Sequence, residues 1–176
     1  MLKITLDTNC IINRFDTDAP SRTSVDALET LFKLHETSQL ELAITTRVET
    51  DLSRDKDTCR SARILSLCSS LPTIGAVAQW DISKWNRDIW GSEEWGKLRQ
   101  RVQEILWPNL STSDGRYENK REDISHIVAH HIHNRNCFVT DETDILRKSE
   151  AVAKIEIQVM CPQKCVDTLN NISISE

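Results

Sequence analysis

Strand-like runs alternate with helical ones along almost the whole of this sequence, and that order constrains the fold more than any single residue does. Leu2-Lys3-Ile4-Thr5-Leu6 alternates as a strand should, then runs straight into Asp7-Thr8-Asn9 and the apolar Cys10-Ile11-Ile12 that opens a helix. A turn-like stretch from Asp18 to Ser24, with Pro20 and a cap candidate at Ser21, leads into an amphipathic helix marked by Val25, Leu28, Leu31, Phe32 and Leu34. Leu40-Glu41-Leu42-Ala43-Ile44-Thr45 reads as a second strand, followed at once by a helical Thr46 to Leu52. Two strands joined through a helix pair in parallel, since a helical crossover is what returns the chain to the same end of the sheet.

The order continues toward the C-terminus. A helix is expected over 60–71, with Ile64, Leu65, Leu67, Cys68 and Leu71 on its apolar side and Pro72 ending it. Arg121-Glu122-Asp123 is expected to open another, running through Ile124, Ile127, Val128 and Ile132 to about Asn134. A turn at Asn134-Arg135-Asn136 then leads to a short strand, Cys137-Phe138-Val139-Thr140, and a helix start at Ile145-Leu146. A last alternating stretch, Ile155 to Val159, precedes Pro162 and a closing helix. The pattern predicts an α/β chain in three layers, α/β/α, around a central, mainly parallel sheet. With 176 residues it suits a single domain spanning 1–176.

Residues from about 75 to 117 break the pattern and are read as a helical, Trp-rich insertion, with one helix expected near 93–106. All five tryptophans, Trp80, Trp85, Trp90, Trp95 and Trp107, lie there. The first four recur every five residues, a period that keeps to no single helix face. They are expected to form a small apolar cluster beneath a lid or at a self-association surface, with stacking on unpaired bases as the alternative.

Composition narrows the function classes. No apolar run approaches the roughly 20 residues that span a bilayer, and the chain starts with a strand-like segment rather than a basic and then apolar leader, so a cytoplasmic protein without a membrane partner is expected. A net charge of −5 argues against broad, sequence-independent duplex binding, which Lys and Arg drive by displacing counterions. It does not exclude a nucleic-acid enzyme, because carboxylates that hold divalent cations add formal negative charge while serving a polyanion. Two basic clusters, Arg47, Arg54, Lys56, Arg60 and Arg63, and Lys97, Arg99, Arg101, Arg116, Lys120 and Arg121, either border a phosphate path or form solvated helix faces. The six cysteines lack the spacing of a disulfide framework or a four-ligand zinc site, and Cys10 and Cys137 read as small hydrophobes.

Four acids, Asp7, Glu49, Asp123 and Asp141, each fall where a hydrophobic run ends or a helix begins. Each taken alone is an ordinary helix cap or solvated residue. Together, from separate strand–helix junctions, they suggest one carboxylate-lined site at the C-terminal edge of the sheet, where open α/β sheets bind ligands. Hard oxygen donors suit Mg²⁺ or Mn²⁺, which activate water and screen charge building on a scissile phosphate.

Leu6-Asp7-Thr8-Asn9 after the first strand, Glu49 after the second, Asp123 before Cys137-Phe138-Val139-Thr140 and Asp141 at that strand's end resemble the PIN-domain ribonucleases. The resemblance covers most of the chain and fits 75–117 least. It implies a PIN-like fold and a metal-dependent endoribonuclease of mostly single-stranded RNA, in which Asp7, Glu49, Asp123 and Asp141 bind one or two Mg²⁺ or Mn²⁺ ions and Asn9 or Thr8 orients Asp7. By the same resemblance, a toxin role with an antitoxin protein as partner and a homodimer are expectations. The family often places its fourth acid two residues beyond the strand-ending threonine, here Thr140, where this chain has Glu142; Asp141 is ranked first for that place, Asp144 second and Glu142 third.

His126 and His130 are spaced to share a helix face with Asp123, but His130-His131-Ile132-His133 points in several directions, so solvated or interfacial histidines are expected. Two other functions fit part of the pattern. A haloacid-dehalogenase-like phosphohydrolase would use Asp7 as nucleophile with Asp141 and Asp144 on the ion, yet Asn9 stands where its second acid belongs. A PIN-like binding module without catalysis would keep the fold alone, against which all four acid positions are filled.

Overall fold

The computed structural model describes residues 1–16, 24–78 and 87–173. The cap candidate Ser21, Pro20 and the tryptophans Trp80 and Trp85 lie outside the described residues. Five strands, β1 (Leu2–Leu6), β2 (Leu40–Thr45), β3 (Thr73–Ile74), β4 (Cys137–Val139) and β5 (Val159–Met160), form one all-parallel sheet in the order β3-β2-β1-β4-β5. Register is set at the centre, where Leu2 pairs with Leu40 on one side of β1 and Ile4 with Cys137 on the other. Helices α1 (Thr8–Phe15) and α2 (Val25–Glu36) join β1 to β2, and α3 (Arg47–Ser53) and α4 (Thr58–Cys68) join β2 to β3. Helices α5 (Glu93–Leu106) and α6 (Tyr117–Ile132) precede β4, α7 (Thr143–Leu146) and α8 (Ser149–Ala153) precede β5, and α9 (Pro162–Ser173) follows it.

The strand period of two divides the core. Ile4, Leu6, Leu42, Ile44 and Val139 enter one cluster with Ile11 of α1, Leu28 and Leu31 of α2, Val48 of α3, Ile64 of α4 and Val166 of α9. Phe138 and Val159 face the other, with Val102 and Leu106 of α5, Ile127 and Val128 of α6 and Val152 of α8. Helices therefore cover both faces of the sheet, as an all-parallel sheet requires. Helix α5 falls at the range expected for it, and its Val102 and Leu106 are wholly buried, so this part of 75–117 belongs to the helical layer. Trp90 is exposed, whereas Trp107 packs on the second cluster. Among the described residues no helix is long and apolar enough to cross a membrane.

Several elements differ from the sequence reading, α4 by ending at Cys68 and not at Leu71. Helix α6 begins at Tyr117, not Arg121, because the Asp114 carboxylate fastens the preceding turn by accepting from the Arg116 N–H (2.8 Å) and from Lys120 Nζ (2.6 Å). Asp123 consequently sits inside the helix rather than at its head. The alternation of Ile155 to Val159 is mostly not strand: turns at the end of α8 place Glu156 in the left-handed region (φ 64°), and the buried Ile157 fills the core from that turn. Strand β3 was not expected, since two residues are too short to display a period.

The largest departure is where α6 meets β1 and β2. The small or short side chains Thr5, Ala43 and Thr45 face this helix, and polar groups fill the seam. His130 Nδ1 pairs with Thr5 Oγ1 (2.9 Å), and His126 Nδ1 with Thr45 Oγ1 (2.6 Å). Both histidines are buried, not solvated or interfacial as the sequence suggested. At the cleft end of the seam, Arg47 is fully buried between Asp88 (2.6 Å) and Glu122 (3.6 Å), and Thr46 Oγ1 also donates to Asp88 (2.6 Å). Removing one partner of a buried ion pair strands the other charge. Arg47→Ala is therefore expected to lower unfolding free energy by about 3–5 kcal/mol in urea titration; a loss no larger than that of an exposed Arg→Ala control would show that the pair is not holding this corner together.

Candidate functional site

Strands β1 and β4 are neighbours whose onward connections run to opposite sides of the sheet, which makes their C-terminal ends the topological switch point. A cleft of about 390 Å³ opens there, lined among others by Asp7, Asp51, Asp123, Glu142 and Asp144. Its remaining walls include Ile12, Leu52 and Trp107, with Arg54, Arg116 and Lys120 as the basic contribution.

Asp7 is the best-defined member. It caps α1, with Oδ1 accepting from the Thr8 N–H (2.8 Å), while Oδ2 accepts from Asn9 Nδ2 (3.0 Å) and Thr140 Oγ1 (2.6 Å). Thr140 Oγ1 also accepts from Asn9 Nδ2 (3.1 Å) and from the Glu142 N–H (2.9 Å), so the ends of β1 and β4 are tied through one hydroxyl. Burial raises the Asp7 pKa, although the charge on His126 and the Thr140 hydrogen bond oppose that shift.

Asp123 projects from α6 into the same cleft. Burial, then the charge of Asp7, push its pKa well above the usual carboxylate range, with Asp51 and Glu142 adding to the shift and His126 opposing it. No hydrogen bond to its carboxylate occurs among the described residues. It is the least compensated acid of the site.

Sequence reasoning passed over one member, Asp51, and read another, His126, as solvated or interfacial. Asp51 Oδ2 accepts from Thr8 Oγ1 (2.6 Å) and pairs with His126 Nε2 (2.8 Å). Burial alone would depress the imidazole, but its hydrogen bond to Asp51 and the charges of Asp51, Asp7 and Asp123 outweigh it and raise its pKa to about 9. Asp51 is correspondingly held below its ordinary value: burial opposes this, and the His126 hydrogen bond and charge prevail. The signal was present in principle, because Asp51 follows Glu49 on the same short helix and one helical turn cannot aim both acids the same way.

The other expected acids go elsewhere. Glu49 does not line the cleft; its carboxylate is ion-paired with Arg87, which the Asp88 contacts bring beside α3. Asp141 also lies outside the lining. Its two oxygens accept from Asn13 Nδ2 (2.8 Å) and Ser24 Oγ (2.7 Å), and its own N–H donates to Asn9 Oδ1 (3.1 Å), so it latches the β4 exit to the α1 region. Asp144 reaches the cleft with an Arg116 partner at 3.5 Å, and Glu142 reaches it directly behind Thr140.

The donor set suits a hard divalent cation in chemistry. Among the described residues no group of three or more His, Cys, Asp and Glu side chains stands ready to hold one together. Mg²⁺ does not need such a cage, since it keeps several waters and is commonly held by one or two carboxylates with substrate phosphate. Asp7 and Asp123 are the pair placed to do this. No protein-family model matches this chain, and no curated protein matches it.

The His126–Asp51 pair makes a direct prediction for protein kept free of divalent ions. A histidine whose folded pKa is raised to about 9 from 6.5 contributes stability that is fully present below pH 6.5 and lost as pH rises through about 9. Imidazole NMR should find His126 still protonated at pH 8, and Asp51→Asn should bring its titration down; a native His126 that titrates below pH 7 would refute the pairing.

Proposed function

We propose that this protein is a divalent-metal-dependent nuclease that hydrolyses phosphodiester bonds of single-stranded RNA. The observation that carries this reading is Asp123, an acid that accepts no hydrogen bond among the described residues and shares with Asp7 the lining of a cleft at the switch point of a parallel sheet. Carboxylates crowded into partial burial repel one another, and a bound cation would relieve that repulsion. Arg54, Arg116 and Lys120 in the same lining give the cleft the phosphate-binding groups that a purely acidic metal site would lack.

Asp7 and Asp123 would hold Mg²⁺ or Mn²⁺, which when bound supplies charge neutralisation at the phosphate and a more acidic water. Thr8, Asn9 and Thr140 fix the Asp7 carboxylate so that its remaining lone pair points outward. Asp51, oriented by Thr8 and His126, and Glu142 are the acids that stand nearby to accept a proton from attacking water. Arg116 and Lys120, paired with Asp144 (3.5 Å) and Asp114 (2.6 Å), would hold the strand's phosphates.

Labelled single-stranded RNA with Mn²⁺ tests this. Asp7→Asn and Asp123→Asn are each expected to cut the rate by on the order of 100-fold or more, and EDTA should abolish it. Asp51→Asn should lose on the order of 10–100-fold through misplacement of its neighbours, while Glu49→Gln, outside the cleft, should stay near the native rate. Cleavage that survives EDTA, or that depends on Glu49 and not on Asp51, would remove this reading.

A further inference from the structure

One wall of the cleft is apolar, and phosphodiester chemistry by itself has no use for it. Trp107 lines the cavity together with Ile12 and Leu52, with Arg54 and Arg116 beside them. Resting on the reading above, we propose that Trp107 forms a stacking subsite for an unpaired nucleobase next to Asp7 and Asp123, and that this subsite selects single strands over duplex.

The indole is held in place before any ligand arrives. The Trp107 backbone caps α5, its main-chain N–H donating to the Gln103 carbonyl (2.7 Å) and its own carbonyl accepting from the Leu110 N–H (3.0 Å). The preceding residue, Leu106, is wholly buried, and Lys148 Nζ donates to the Leu106 carbonyl. Trp107 also packs on the second core cluster, so part of its surface is anchored while another part remains in the cleft. A platform ordered in advance costs little further entropy when a flat ligand settles on it.

The occupant is identified by the mixture of groups around it. A nucleobase offers a flat apolar face for the indole, and its attached phosphates are anions for the neighbouring guanidiniums, which are better suited to phosphate than to any apolar ligand. Arg116 is well exposed (65%) and only loosely paired with Asp144 at 3.5 Å, so a phosphate can engage it without breaking a buried contact. Every base has such a face, which makes the subsite tolerant of sequence. A base inside a duplex has both faces already covered by its neighbours and would have to unstack first.

The test uses the full chain carrying Asp7→Asn, so that no strand is cut during measurement, and fluorescence anisotropy of a short labelled single-stranded RNA and of its duplex. Trp107→Ala is expected to weaken single-strand binding by about 5- to 150-fold, while Trp107→Phe, which keeps an aromatic face, stays within about threefold. Trp107→Leu keeps apolar bulk without the π-face and should lose affinity as Trp107→Ala does; retention by the Leu variant would mean packing rather than stacking and overturn the proposal. Duplex binding should be weak and unchanged by all three. Equal single-strand affinity of native and Trp107→Ala protein would overturn it, as would displacement of the RNA by free mononucleotide at comparable concentration, which would mark a small-nucleotide site. The two readings fail separately: Trp107-dependent binding without cleavage by the native chain removes the hydrolytic reading alone, and cleavage with Trp107-independent binding removes the subsite alone.

Discussion

The rest of the structure depends on the polar seam by which α6 lies on β1 and β2. A helix that buries hydroxyls and imidazoles against a sheet cannot slide as an oily one can, because any shift of register leaves buried donors and acceptors unpaired. Here Thr5 meets His130, Thr45 meets His126, and Arg47 reaches Glu122. One residue of slip would rotate the helix by about 100° and break all three. Because Asp123 lies on the same helix, one turn before His126, the seam also aims that acid at the cleft.

The two seam histidines show how local charge sets function within one helix. His130 is pushed down to about 3 by burial and by the charges of Arg135 and His131, so it stays neutral and serves as a hydrogen-bonding spacer. Four residues earlier His126 is equally buried, but Asp51 hydrogen-bonds to it and Asp7 and Asp123 lie near, so it is cationic. A protonated His126, together with Arg54 at 3.5 Å from Asp51, offsets part of the repulsion among the acids at the end of the sheet. Asp51 is thereby drawn inward, while Glu49, two residues earlier, turns out to Arg87. The arrangement explains why the acid that reaches the cleft from α3 is not the one whose position after the strand made it conspicuous.

What the sequence made legible was most of the element order, which period and junction govern. The parallel order, β1 running directly into a capped α1, the burial of Leu28, Leu31 and Phe32, and the helix from Glu93 all follow from spacing of apolar residues and from short connections. Asp7 was legible for the same reason, as the residue at which the period changes. Other side-chain directions were not, because they are fixed by contacts distant in sequence: Asp51 is aimed into the cleft by Thr8 and His126, Asp141 is drawn away from it by Asn13 and Ser24, and Trp107 is set by the second core cluster. Nor was the start of α6, which a side chain outside the helix, Asp114, determines. The histidines misled because a run of polar residues on a helix ordinarily signals a solvated face, and here it faces threonines on the sheet.

Capping and ligand binding are usually opposed as explanations of an acid at a helix start, yet Asp7 caps α1 and keeps an acceptor for the proposed ion. A carboxylate has about four acceptor sites. Three are taken, by the Thr8 N–H, Asn9 and Thr140. Those three fix the plane of the group, so the fourth is left in a defined direction and not swept through a cone of rotamers. The cap therefore does for Asp7 what His126 and Thr8 do for Asp51, converting a flexible acid into a positioned one at the cost of some of its acceptors. Asp123 accepts no such hydrogen bond among the described residues, so its carboxylate is the less fixed of the two. A pair made of one fixed and one adjustable carboxylate suits an ion that demands near-octahedral geometry but supplies much of its own shell as water. It also places the rigid member on the sheet, which cannot move without unpairing β1 from β4, and the adaptable one on the helix beside the cleft.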